Sequence, residues 1–145
     1  MTAEPDPRRI DESARFTIRR IARRGGRVTE YRAVVRLRVD PAHAARYRDT
    51  WGGSISDERM TNGQPRETAL WEITGKPLTA MLREILPVLR RQREVAETLL
   101  AMREAIESAP HTARGETLPV DHVATLDALY ARARHLNDQQ QLQQM

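Results

Sequence analysis

Nine arginines lie between positions 14 and 39 (Arg15, Arg19, Arg20, Arg23, Arg24, Arg27, Arg32, Arg36 and Arg38) against a single acid, Glu30, and their spacing admits few folds. Phe16 and Ile18 alternate with Thr17 and Arg19, the period-two pattern of a half-buried strand. Gly25-Gly26, set within Arg-Arg-Gly-Gly-Arg, supplies the permissive backbone of a hairpin turn. A second strand is expected over 29–39. There Tyr31, Ala33, Val35, Leu37 and Val39 share one face, and Arg32, Val34, Arg36 and Arg38 the other. The first face reads as core and the second as an exposed basic stripe. Nine arginines less one glutamate give this stretch +8 within a chain of formal charge +4, so the remainder is net acidic and the positive charge is concentrated. By itself, an arginine stripe on a sheet is also what an ordinary solvated surface looks like.

The rest of the composition narrows the choices. A chain of 145 residues forms one ordinary domain, with 39% apolar and 4% aromatic residues, so Leu, Ile, Val and Ala must carry the core around Phe16, Trp51 and Trp71. Lys76 is the one lysine among 24 basic residues. Guanidinium groups pair bidentately with phosphate and with guanine edges in a way an ammonium cannot. The absence of cysteine excludes disulfides, thiol catalysis and Cys-type zinc sites. With no long apolar run and an acidic, proline-containing start, the expected setting is cytoplasmic, with no membrane partner. His43, His111, His122 and His135 are scattered without metal-like pairing, and no Gly-rich phosphate loop or Ser-His-Asp set stands out.

Along the chain, Pro5 and Pro7 limit any N-terminal helix to one or two turns. Asp40 and Pro41 open a short helix that should end at Gly52-Gly53. Residues 53–60 and 67–73 flank Thr61-Asn-Gly-Gln-Pro, an Asn-Gly turn between two further strands. Leu78, Met81, Leu82, Ile85 and Leu86 recur at helical spacing, Pro87 breaks the run, and 88–108 resumes as the longest helix. The expected organisation is a short segment 1–13, a main domain 14–108, a linker 109–118, an additional amphipathic helix 119–136 and a disordered Gln-rich tail 137–145.

This order of elements, together with four phrases, resembles the LAGLIDADG homing endonucleases. The phrases are Ile10-Asp11 running into Phe16-Thr17-Ile18, Trp51-Gly-Gly-Ser-Ile55, Leu70-Trp71-Glu-Ile-Thr-Gly-Lys76, and Ile85-Leu-Pro-Val-Leu followed by a helix to Leu100. The resemblance covers residues 10–106. It implies an α+β fold of αββαββα order, with a four-stranded antiparallel curved sheet whose concave face sits in the major groove of duplex DNA. There, alternate side chains would read base edges and phosphates. On this chain that face would present Thr17, Arg19, Arg32, Arg36 and Arg38, with Ser54, Ser56, Thr68 and Glu72 from the second hairpin.

The chain departs from the family where cleavage is concerned. Anchored on Phe16, the small residues of the family's helix–helix seam fall on Arg8 and Pro7, the first acid of the signature on Asp11, and the metal-binding acid on Ser13. A hydroxyl does not replace a carboxylate as ligand to a hard cation. The basic residue expected after the helix-opening proline falls on Gln92, beside Arg91 and Arg93. Burying Arg8 and Arg9 in a close seam would strand unpaired charge, so dimerisation through that helix is disfavoured. The leading expectation is therefore a degenerate, single-motif, non-cleaving DNA-binding protein that needs no cofactor, a regulator of phage, mobile-element or host genes. Two alternatives stay open. One is a Mg-dependent DNA endonuclease in which a one-residue shift lets Asp11 and Glu12 act as remnant catalytic and metal-binding acids. The other is an RNA- or protein-interaction module aided by the helix 119–136.

Overall fold

The computed structural model describes residues 6–22, 28–56, 68–108 and 120–144. Asp6 caps the first helix, its carboxylate accepting from the Arg8 N–H at 3.0 Å, with Pro7 at the first helical position. This α1 (Pro7–Ser13) stops at Ala14, whose extended backbone (φ −75°, ψ 151°) turns the chain directly into β1 (Arg15–Ala22). β2 (Val28–Val39) returns antiparallel, pairing Arg15 with Arg36, Thr17 with Val34 and Arg19 with Arg32. Asp40 then caps α2 (Pro41–Trp51), accepting from the His43 N–H at 3.0 Å; that bond holds the Asp40 carboxyl below its usual range. A short β3 (Ser54–Ser56) and β4 (Ala69–Ile73) complete a four-stranded antiparallel sheet in the order β1-β2-β4-β3. The αββαββα order and the antiparallel sheet are those expected from the sequence. The Gly25-Gly26 and Asn62-Gly63 turns lie outside the described residues.

The turn after α2 explains why two glycines follow Trp51. Gly53 has φ +95°, and a Cβ there would sit 2.5 Å from the Glu72 carbonyl oxygen, so only glycine lets β3 approach β4 this closely. The Trp71 indole N–H donates to the Gly52 carbonyl at 2.8 Å, and Trp71 stacks on Tyr47 with ring centroids 5.1 Å apart.

All core-facing positions of the first hairpin named above are buried, from Phe16 and Ile18 to Tyr31, Ala33, Val35, Leu37 and Val39. Against them pack α2, α3 (Gly75–Ile85), α4 (Arg93–Glu107) and α5 (Val120–Gln144), through residues such as Tyr47, Leu78, Leu82, Leu99 and Ala133. Val34, on the opposite face between Arg32 and Arg36, is buried as well, so the stripe is interrupted by an apolar residue.

Two sequence expectations are corrected. The helix expected over 88–108 begins only at Arg93. Leu86–Val88 forms a 3-10 turn around Pro87, which has no N–H to donate, and the N–H groups of Arg90, Arg91 and Gln92 are engaged by a side chain from α1. β3 is described at Ser54–Ser56, and the rest of the strand expected over 53–60 lies within residues 57–67, outside those described. The tail expected to be disordered from residue 137 is instead the continuation of α5 to Gln144. Asn137 donates to the Phe16 carbonyl of edge strand β1 at 2.9 Å, and Gln140 donates to the Arg91 carbonyl at 3.2 Å. Polar side chains bonded to neighbouring backbone hold this part of the helix where apolar burial cannot.

Candidate nucleic-acid interface

A β-strand turns alternate side chains to opposite faces, so a strand whose odd residues are buried must present its even ones together. On β2 that places Arg32, Val34, Arg36 and Arg38 on the face away from the helices. The register then selects what stands beside them: Thr17 opposite Val34, Arg19 opposite Arg32, Glu72 opposite Arg36, and Ser54 opposite Glu72. Ser56 pairs with Leu70, itself opposite Arg38, and Thr68 precedes β4 on the same alternation. Thus eight of the nine residues expected on the face (Thr17, Arg19, Arg32, Arg36, Arg38, Ser54, Ser56 and Glu72) share one side of the sheet, and Thr68 lies just before β4.

The register adds further residues to this face, Ile21 and Glu30 at one end and Arg15 and Leu70 elsewhere. Arg15 has the same alternation as Thr17 and Arg19 and stands opposite Arg36, so strand parity alone places it there. Leu70, half-buried, adds an apolar spot between Arg38 and Ser56.

The face is basic but internally wired. The Arg36 Nε donates to the Glu72 carboxylate at 2.9 Å, and Arg19 approaches the same oxygen at 4.0 Å. Arg32 pairs with Glu30 at 3.1 Å. These side chains are partly open to solvent, so the pairs hold geometry more than they add stability. A carboxylate between two guanidiniums fixes where their remaining donors point, and the donors are suited to phosphate oxygens and to the O6 and N7 of guanine. Five arginines against two glutamates leave the face with net positive charge.

The acids at the end of α1 have another task. The Asp11 carboxylate accepts three backbone hydrogen bonds, from Arg90 at 3.1 Å, Arg91 at 3.2 Å and Gln92 at 2.8 Å. It therefore caps the turn that leads into α4, taking up donors that have no helical partner. Gln92 is buried and donates to the Ala14 carbonyl at 3.1 Å, fastening the same turn to the start of β1. Glu12 and Ser13 are exposed.

A divalent ion of the kind the LAGLIDADG resemblance implies does not fit these residues. Both Asp11 oxygens are turned to N–H groups, Arg8 and Arg90 line the same hollow as Asp11 and Glu12, and Ser13 offers no charge. Among the described residues no group of three or more His, Asp or Glu could hold a metal. Arg8 and Arg9 project from α1 as exposed charges. Among the described residues no helix is long and apolar enough to cross a membrane.

No family model matches the chain, and no curated protein does. Solved structures do. An archaeal intron-encoded homing endonuclease, I-Vdi141I, complexed with DNA, superposes with a TM-score of 0.68 at 15% identity, over 90% of this chain and 80% of its own. The homing endonuclease I-TnaI gives 0.65 at 14% identity, over 95% of this chain and 96% of its own. I-SmaMI, bound to an uncleaved DNA target in the presence of calcium ions, gives 0.62 at 16% identity, over 88% of this chain but 42% of its own. The chain thus has the fold of homing endonucleases. A match over 95% of the chain also takes in much of α5, which the sequence phrases of the resemblance did not reach.

Proposed function

We propose that this chain binds duplex DNA through the β1–β4 face and does not cut it. The observation that carries the reading is the convergence of Arg15, Arg19, Arg32, Arg36 and Arg38 on one side of a four-stranded sheet. Two neighbours in fold, I-Vdi141I and I-SmaMI, were solved bound to DNA. Arginine forks supply the phosphate contacts that give affinity, while Ser54, Ser56, Thr68 and Thr17 supply short donors and acceptors at the level of the bases. Absence of cutting is supported by Asp11, whose carboxylate is committed to the turn before α4, and by Ser13 and Gln92, which carry no charge. The exposed Arg8 and Arg9 on α1 favour a chain that does not dimerise through that helix. A cysteine-free DNA binder fits a cytoplasmic setting.

Selection of bound sequences from random pools of duplex DNA and of RNA, with and without Mg²⁺, tests this directly. Enrichment of duplex DNA with intact strands in both conditions is the expected result. Mg²⁺-dependent strand breaks that vanish in Glu12→Ala would establish the endonuclease alternative, and enrichment of RNA alone would move the face to another partner.

A further inference from the structure

The polar end of α5 builds a wall beside the basic face. Tyr130, Arg134, Asn137, Asp138 and Gln141 follow one another at helical spacing and so form one stripe. Leu126, Ala133 and Leu136 form the neighbouring stripe, which is buried against the core. Between the polar stripe and β1 runs a cleft of about 520 Å³, whose floor is Arg15, Thr17, Ile18, Arg19 and Arg36. Among the described residues of the lining, four arginines stand with one acid, Asp138, and two of them, Arg19 and Arg36, also share the Glu72 carboxylate beside the cleft.

The cleft is held in shape from both sides. Asn137 is bonded to the Phe16 carbonyl, which ties the helix to the exposed edge of β1. Tyr130 packs on Tyr31 of β2 with ring centroids 5.5 Å apart, and the Arg134 guanidinium lies over the Tyr130 ring at 5.8 Å. An arginine steadied on an aromatic ring loses less conformational freedom when it captures an anion. Arg19 and Arg36 belong both to the cleft and to the open sheet, so a polyanion held by these two arginines lies at the cleft mouth.

We propose that α5 is a second contact element, with Arg134 clamping the phosphodiester backbone of one strand as it leaves the sheet alongside β1. This rests on the reading that the sheet face takes nucleic acid. The volume is that of a small-ligand site, so it admits a short piece of one backbone and not a double helix. Planar guanidiniums along one groove, with amides between them, match phosphate oxygens spaced along a strand.

Fluorescence anisotropy of the full chain with one labelled duplex, read across a series of salt concentrations, tests the clamp. One phosphate contact contributes a slope of about −0.9 in log K against log salt, so Arg134→Gln should reduce the slope magnitude by about one and weaken binding roughly 5-fold at 0.15 M salt, equally on unrelated sequences. Arg134→Lys should restore most of the slope, since the clamp needs charge. Arg132→Gln, on an exposed residue of α5 outside the cleft, should leave the slope unchanged. Intact wild-type binding with an unaltered Arg134→Gln slope overturns the clamp and leaves the sheet reading standing. A loss that Arg134→Lys fails to restore also overturns it, as a defect of packing. No binding by the wild-type chain overturns both.

Discussion

Glu72 shows how much one residue can change the meaning of a basic surface. Strand alternation puts it on the arginine face, where an acid can accept from the cytosine amino group. Its carboxylate is instead engaged by Arg36 at 2.9 Å and approached by Arg19 at 4.0 Å. It restrains two arginines that would otherwise seek any phosphate. Removing its charge should therefore raise affinity for random-sequence duplex and narrow the gap to a selected target. For Glu72→Gln we expect about 5-fold tighter binding to random duplex at 0.15 M salt, the equivalent of one released arginine, in competition against a selected sequence. Weaker binding to both duplexes would mean that Glu72 is needed to position Arg36 rather than to restrain it. That these residues share a face is legible in the sequence, because alternation is a local property of each strand. Arg15 is legible by the same parity. The pairing of Arg36 with Glu72 is not, since it depends on β2 and β4 being neighbours in register.

At the scale of elements, α1 and α5 carry what sequence periodicity could not. Asp11 lies two residues before Ser13 in the chain, yet the partners of its carboxylate, Arg90, Arg91 and Gln92, are some eighty residues away. Nothing local distinguishes an acid that caps a distant turn from one that holds a cation. If Asp11 is a cap, Asp11→Ala should cost about 1–2 kcal/mol, the usual range for a lost N-cap. For a chain of this size that lowers the thermal midpoint by roughly 3–6 °C. Added Mg²⁺ should leave the wild-type midpoint where it is. A midpoint raised by Mg²⁺ in the wild type but not in Asp11→Ala would instead make Asp11 a ligand. The end of α5 was illegible for a related reason. A run such as Asn-Asp-Gln-Gln-Gln buries almost nothing, and composition alone reads as disorder. Its helix is held by Asn137 and Gln140 bonding to the backbone of β1 and of the turn before α4. By contrast, the Trp51-Gly-Gly phrase is legible and has a physical cause, the close approach of Gly53 to the Glu72 backbone.

Across the whole molecule, one sheet divides the labour. The helices cover one face and bury Phe16, Trp71 and Leu99 in a continuous core, while the other face gathers five arginines against two glutamates. This division follows from binary patterning along β1 and β2. A DNA-binding face of the proposed kind draws its affinity from counterions released from the phosphates it contacts. Binding of a duplex to the wild-type chain and to the Arg36→Ala plus Arg38→Ala variant, measured from 0.05 to about 0.3 M salt, is the most direct test. A steep loss of affinity with salt is expected for the wild type, with a slope of about −4, and the double variant, its fold retained by circular dichroism, should lose about two units of slope and roughly 30-fold in affinity at 0.15 M salt. Binding that ignores salt, or that the double variant keeps undiminished, would contradict the DNA-binding reading.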